Sequence, residues 1–271
     1  KRHIKPVLKV FSFSVVTSIY LQLNTVLLGF LKNALAVGYF AAATKVMQML
    51  LTMSACLGSV MMPRASHLIA ENKEDEFNRL IQKSYDFTLA IALPMTIGLI
   101  FCAPSLITAL CGVKFEHSIL PSQIIAPIIL MVAISNVFGI QVLFPKGKIN
   151  IVTLCCGIGA VADLILNLCL IPLFSYIGTS IAYLGAEVAT TVSMYFIGRR
   201  YIPIIYFKKS HLTYALGCVV MAFALYGLSL LQLPTFTILL LQGCCGVLAY
   251  FIILCICKDE MLVQIFSKIK R

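Results

Sequence analysis

"YFAAATKVMQML", residues 39–50, is an apolar helical stretch with a lysine in its middle. Nine residues free of charge and proline precede Lys45, from Ala36 to Thr44, and seventeen follow it, from Val46 to Met62. A run of that length can cross a hydrocarbon core, which takes about 20 residues. A lysine at the centre of such a helix costs about 2.5–3.5 kcal/mol on insertion scales, so it needs water, a partner or a task. The stretch sets the fold class and poses the functional question together.

The rest of the chain agrees with a membrane reading. It has 271 residues, 61% hydrophobic and 11% charged, where a soluble domain carries about 25% charged residues. Apolar runs recur along the whole length, as expected of an all-α polytopic membrane protein. The alternating segments of about 10 residues that make outer-membrane barrels are absent. Eight spans are read: A 7–31, B 35–62, C 85–110, D 119–144, E 149–170, F 177–198, G 212–232 and H 235–257. Turn signals separate them, among them Pro63-Arg64, Gly112, Pro145-Lys146-Gly147 and Pro234. Pro94, Pro104 and Pro127 fall inside spans, where each removes a backbone hydrogen bond and can kink its helix.

The net charge of +11 reads as basic loops at a membrane rather than as nucleic-acid binding. Placing the loops on alternate sides puts Lys1, Arg2, Lys5, Lys9, Arg64, Lys73, Arg79, Lys83, Lys146, Lys148, Arg199, Arg200, Lys208, Lys209, Lys258, Lys268, Lys270 and Arg271 on one side. Only Lys32 and Lys114 are left for the other. Cytoplasmic loops carry the excess of Lys and Arg, so both termini are expected in the cytoplasm. One loop has a pattern of its own. "RASHLIAENKEDEFNRLIQKSYDF" (64–87) sets Phe77, Leu80, Ile81, Ser84 and Tyr85 on one face, as in a cytoplasmic amphipathic helix at the interface that feeds span C.

The eleven cysteines lie largely inside spans, where Cys acts as a small hydrophobe, and no disulfide framework is expected. None of the four histidines has a ligand-spaced partner, so neither a metal nor another cofactor is expected. The chain begins Lys1-Arg2-His3, without an initiator Met or a signal peptide, which suggests a piece of something longer.

Polar residues at depth are the candidates for function. Lys45 lies ten residues into span B, about 15 Å at about 1.5 Å per residue, near the midplane. Gln48, Thr52 and Ser59 share its stripe. Glu187 lies ten residues into span F, with Ser180, Tyr183 and Thr191 aligned. Span E brings Asp163 and Asn167, four apart, and span A brings Thr17, Tyr20 and Asn24. The four stripes are expected to converge on a water-filled cavity that takes a substrate or an ion. Two alternatives stay open: a buried Lys45–Glu187 or Lys45–Asp163 pair tying helices together, or simple exposure to cavity water. Asp86, at the cytoplasmic end of span C, reads as interfacial.

These stretches resemble a known family. "YLQLNTVLLGFLKNALAVGYFAAATKVMQMLLTMSACLGSVMMPRAS" (20–66) is similar to the seventh and eighth helices of the Wzx-type polysaccharide flippases, in the multidrug/oligosaccharidyl-lipid/polysaccharide (MOP) exporter superfamily. "LCGVKF" (110–115), "VFGIQVLFPKGK" (137–148), "ADLILNLCLIPLF" (162–174) and "GTSIAYLGAEV" (178–188) continue the resemblance in order. It implies two six-helix lobes around a central cavity. Residues 1–200 would then be the second lobe, 201–271 two additional C-terminal helices, and an N-terminal lobe would be missing. Asn24 and Asp163 depart from it, since an acid is the commoner residue at the first position and Asn at the second.

By this resemblance the substrate is a polyprenyl-diphosphate-linked oligosaccharide for O-antigen, capsule or another surface polysaccharide, moved across the bacterial inner membrane by alternating access. Lys45 would attract the diphosphate. Asn24, Gln48, Asn167, Tyr183 and Thr191 would hydrogen-bond sugar. Glu187 and Asp163 would pair with Lys45 or couple a proton or sodium ion. One rival is a drug/cation antiporter of the same superfamily, whose cavity would be more acidic. Another is a membrane glycan polymerase or transferase, which needs catalytic residues in sizeable outer loops; the longest, around 112–118, offers Lys114, Glu116 and His117. A non-transporting membrane scaffold is the third.

Overall fold

The computed structural model describes residues 22–206, 208–231 and 233–257, with 11 and 15 besides; at 53–57 and 59 it describes the main chain alone. Among these residues the fold is wholly helical. In chain order the helices are α1 (Gln22–Leu31), α2 (Ala34–Ala70), α3 (Glu74–Cys111), α4 (Val113–Ile125, opening with a tighter 3-10 turn), α5 (Ile128–Leu143), α6 (Ile149–Gly198), α7 (Lys209–Ser229) and α8 (Thr235–Ile256). Five are long and apolar enough to cross a membrane, and the α4–α5 pair, bent by 44°, makes a sixth crossing. The 50-residue α6 is broken at Ser175, whose φ of 52° and ψ of −130° lie outside helical space, so it carries spans E and F. The expected spans B–H are thus each found on helix, and of span A the described residues 22–31 are helical. Thr17, Tyr20 and both termini lie outside the described residues.

Two expectations about the stretch 63–84 change. The Pro63-Arg64 turn signal does not stop a helix, because α2 runs through Pro63 to Ala70. The turn is instead Glu71–Lys73, with Asn72 at φ 57°, a left-handed conformation that Asn tolerates. Likewise 74–84 is not a separate interfacial helix but the first turns of α3. The reason is packing. Ala65 and Leu68 of α2 join Phe77, Ile81 and Tyr85 of α3 in one buried cluster, with Val142 and Leu143 of α5 beside them. That burial offsets the cost of an internal proline, about 3 kcal/mol.

A second cluster fills the opposite half. Leu28, Phe40 and Met47 of α1 and α2 meet Leu99 and Ile107 of α3, Ile128 of α5 and Tyr183 of α6. Inside a bilayer no hydrophobic force draws helix to helix, so close van der Waals fit must do so. The two legs of α6 show this. A Cβ at Gly178 would collide with the Leu170 carbonyl, and one at Gly159 with the Thr190 hydroxyl. The α7–α8 pair packs within itself and against α3.

The prolines show how the helices are locked together. A proline has no N–H to give to the carbonyl four residues earlier. Pro94 therefore releases the Ala90 carbonyl, and the Tyr250 hydroxyl of α8 donates to it at 2.8 Å. Pro104 releases the Ile100 carbonyl, and the Gln123 amide of α4 donates to it at 2.9 Å. Pro127 stands at the 44° bend between α4 and α5. An unpaired carbonyl buried in hydrocarbon is costly, so each break creates a docking point for another helix.

This arrangement predicts a measurable coupling. Tyr250→Phe should destabilise the folded protein by about 1–3 kcal/mol, because a buried acceptor loses its donor. Replacing Pro94 by Ala restores a local N–H, so the same Tyr250→Phe change should cost much less in a Pro94→Ala background. Thermal unfolding of the four proteins in detergent forms the double-mutant cycle. Equal costs in the two backgrounds would refute the lock.

Candidate functional site

The sequence-derived polar residues separate into two groups. The first is a buried knot. Asn24 of α1 and Asp163 and Asn167 of α6 are all buried. The Asn24 amide donates to Asp163 Oδ2 at 3.0 Å. The Asn167 amide nitrogen lies 2.9 Å from Asn24 Oδ1, 3.0 Å from Asp163 Oδ1 and 2.9 Å from the Asp163 carbonyl. The i, i+4 spacing of Asp163 and Asn167 puts both on one helix face, and α1 closes over them. Asn167 Oδ1 is buried and has no hydrogen-bond partner.

Glu187, Tyr183 and Thr191, on the second leg of α6, are buried as well. Thr191 donates to the Met131 carbonyl of α5 at 3.2 Å. Tyr183 sets its ring 6.5 Å from that of Phe40, nearly edge-on. These three are built into the packing between α6 and its neighbours rather than into an open wall.

The second group stands apart. Lys45 and Gln48 are exposed on α2, in a stripe with Ala41, Met49 and Thr52, while Ala42, Ala43, Val46 and Met47 beside them are buried. Lys45 forms no ion pair with Glu187 or Asp163; the ion pairs among the described residues lie elsewhere. The pairing alternative is therefore absent from this conformation. Among the described residues the buried knot and the exposed Lys45–Gln48 stripe are thus separate groups. A cavity of about 400 Å³ does lie between α2, α3, α7 and α8, but its walls are apolar, including Leu50, Pro94, Leu99, Met221, Val247 and Phe251. Gln242 and Tyr250 are the residues with polar side-chain groups in its lining, and the buried Gln242 Oε1 has no hydrogen-bond partner.

Several polar contacts were not legible in the sequence. Ser84 of α3 donates to Gln141 of α5 at 2.5 Å. Gln141 sits in a widened helical segment, 137–143, where bonding slips to five residues, as in Phe144 N–H to Gly139 O at 2.9 Å. Asp86 is not merely interfacial: Gln82, Lys208 and His211 all converge on its carboxylate. Proline spacing signals the Ala90 and Ile100 contacts but none of these. No group of three or more His, Cys, Asp or Glu side chains that could hold a metal occurs among the described residues. The knot's oxygens, one carboxylate and two amides, are hard donors, suited to a proton or an alkali cation rather than to a transition metal.

With this geometry in view, the chain is a polytopic membrane protein with the fold of the MOP transporters. A lipid II flippase, MurJ, in an inward closed conformation superposes with a TM-score of 0.81 at 18% identity, over 96% of this chain and 56% of the flippase. An outward-facing multidrug-resistance transporter of the MATE family gives 0.64 at 18% identity, over 82% and 53%. A MOP superfamily transporter from Pyrococcus furiosus gives the same values. Residues 2–120 match the family described as "Polysaccharide biosynthesis protein". A protein of Escherichia coli (strain K12) described as "Putative O-antigen transporter" is 27% identical over 180 residues, 65% of this chain and 42% of that protein. The resemblance to MOP-type polysaccharide transporters read from the sequence is borne out. The chain spans less than half of the Escherichia coli relative and little more than half of the solved transporters.

The division of the polar residues can be checked by stability. Asn24→Ala leaves the buried Asp163 carboxylate short of a donor and should cost about 1–3 kcal/mol. Gln48→Ala removes an exposed side chain and should stay within about 0.5 kcal/mol. Thermal unfolding of the purified variants separates the two; a Gln48→Ala loss as large as that of Asn24→Ala would place Gln48 in the packed interior.

Proposed function

We propose that the chain is the second lobe (1–200) and two C-terminal helices (201–271) of a flippase for polyprenyl-diphosphate-linked oligosaccharides. It would serve O-antigen, capsule or related polysaccharide synthesis at the bacterial inner membrane, with both termini in the cytoplasm. The observation that carries this reading is Lys45, a cation at mid-helix, exposed, without an ion-pair partner among the described residues. It sits within the segment that matches the polysaccharide biosynthesis family. A diphosphate with sugars attached cannot enter hydrocarbon unaided, since burying unpaired charge is prohibitive. An ammonium group on an otherwise uncovered face offers it a counter-charge. A facing N-terminal lobe would turn the Lys45–Gln48–Thr52 stripe into the wall of a cavity.

The remaining candidates take secondary parts. Asp163, held by Asn24 and Asn167, is the coupling site for a proton or sodium ion in this reading. Asn24 and Asn167 act there as its ligand shell more directly than as sugar contacts. Glu187, Tyr183 and Thr191 would reach substrate only after α6 moves against α5. The apolar cavity beside α7 and α8 has the chemistry of a hydrocarbon chain. A cation antiporter is the second reading. A fold shared with a MATE transporter favours it, and an exposed lysine in place of an acid weighs against it.

Sidedness is tested by single cysteines in a background without other reactive thiols. Lys114→Cys should react with an impermeant thiol reagent from outside intact cells, and Lys209→Cys should not. Reaction of Lys209→Cys from outside would invert the topology.

Lys45 itself is tested in the full-length protein, by export in a flippase-deficient strain. Lys45→Arg should retain substantial export, while Lys45→Ala and Lys45→Glu should lose most of it at equal membrane abundance. The charge swap Lys45→Glu with Glu187→Lys should not rescue. Rescue by the swap would make the lysine a structural partner and remove the case for diphosphate recognition.

A further inference from the structure

On the side bearing most of the basic loops, the linker between α6 and α7 is tied to the lobe by many bonds. Lys146 donates to the Tyr201 carbonyl at 3.1 Å. Gln82 of α3 accepts from the Ile205 N–H at 2.8 Å. The ties end on Asp86 of α3. Lys208 Nζ lies 2.8 Å from Asp86 Oδ2, and Gln82 Nε2 and His211 Nε2 lie 2.8 and 3.0 Å from Asp86 Oδ1. The other ring nitrogen of His211, Nδ1, is 2.8 Å from the Tyr206 carbonyl.

The chemistry of His211 follows from those two partners. A peptide carbonyl has no proton to give. A carboxylate already receiving Lys208 and Gln82 has none either. Both ring nitrogens therefore face acceptors, and only the doubly protonated imidazolium can donate to both. In the neutral ring one contact becomes lone pair against lone pair. Asp86 and Tyr85 face the ring from α3, Lys208 and Tyr206 stand beside it on the linker, and Tyr214 faces it from α7. Burial, with Tyr195 nearby, pushes the Tyr206 hydroxyl up to about 12, so it stays neutral while an imidazole titrates.

The consequence falls on the C-terminal helix pair. His211 lies in the first turn of α7, so the Asp86 contact fixes that end of α7 to α3. A further polar tie of the pair to α3 is Tyr250 on the Ala90 carbonyl, deep in α8, which carries no titrating group near neutrality. The His211 contacts respond to protons; the Lys208–Asp86 pair and the Tyr250 bond do not.

We propose that His211 is a proton-sensing latch that holds the α7–α8 pair on α3 when its ring is charged and frees the α7 end when the ring is neutral. This stands apart from the substrate reading; the proposed topology supplies only the compartment whose pH is sensed.

The test uses the full chain in nanodiscs, with its reactive native cysteines replaced and spin labels at Arg79→Cys on α3 and Ala215→Cys on α7. Interspin distances are measured at about pH 5.5 and about pH 8.5, on either side of the ordinary histidine range. The expected result is one narrow population at the acid pH. A second population, displaced by about 2–5 Å, should appear at the alkaline pH. His211→Gln should show the displaced population at both pH values, and Asp86→Asn should lose the pH response. If either variant fails to fold, the wild-type series decides alone. Identical wild-type distributions at the two pH values, or a pH response that survives in His211→Gln, would overturn the proposal.

Discussion

Every main-chain carbonyl inside a hydrocarbon slab needs a donor, and this chain places prolines where the helix itself cannot supply one. Pro94 and Pro104 each open α3 without breaking it. The freed carbonyls of Ala90 and Ile100 are taken by Tyr250 of α8 and Gln123 of α4. What would be a defect in one helix is thereby a specific contact between two. The C-terminal pair and α4 are both positioned on α3 by this means. At Pro127 the same chemistry produces the 44° bend instead.

The treatment of charge follows from the same scarcity of partners. Asp163 is enclosed by two asparagines and the packing of α1 on α6. Asp86 sits within α3 and gathers a lysine, a histidine and a glutamine. Lys45, by contrast, stands at mid-helix on an exposed face. Glycines allow this economy. Gly159 and Gly178 let the two legs of α6 approach until no side chain would fit between them. The Asp163–Asn167 face is then turned toward α1.

Much of the fold was legible because its signals are local. Hydropathy places the spans within a few residues, as with α7 at Lys209–Ser229 against an expected 212–232. Of the face Phe77, Leu80, Ile81, Ser84 and Tyr85 read from spacing, four are buried and Leu80 is half-buried. Pro63 misled because a proline's cost is local while the packing of Ala65 and Leu68 that offsets it is not. The same limit governs the candidate site. Depth along a helix identified Asn24, Lys45, Asp163, Asn167 and Glu187 as unusual. It could not say that Asn24 and Asp163 bond to each other while Lys45 bonds to neither acid.

By itself, then, the sequence determined the membrane class, the order of the helices and the list of polar residues at depth. Each depends on residues close in the chain. Tertiary structure alone decided which of those groups meet. Asn24 and Asp163 are 139 residues apart, His211 and Asp86 are 125 apart, and Tyr250 and Ala90 are 160 apart. A hydrogen bond needs its partners within about 3 Å, in the right direction. No periodicity within a helix sets the rotation and height of another helix. That is decided where side chains pack and where a freed carbonyl finds a donor.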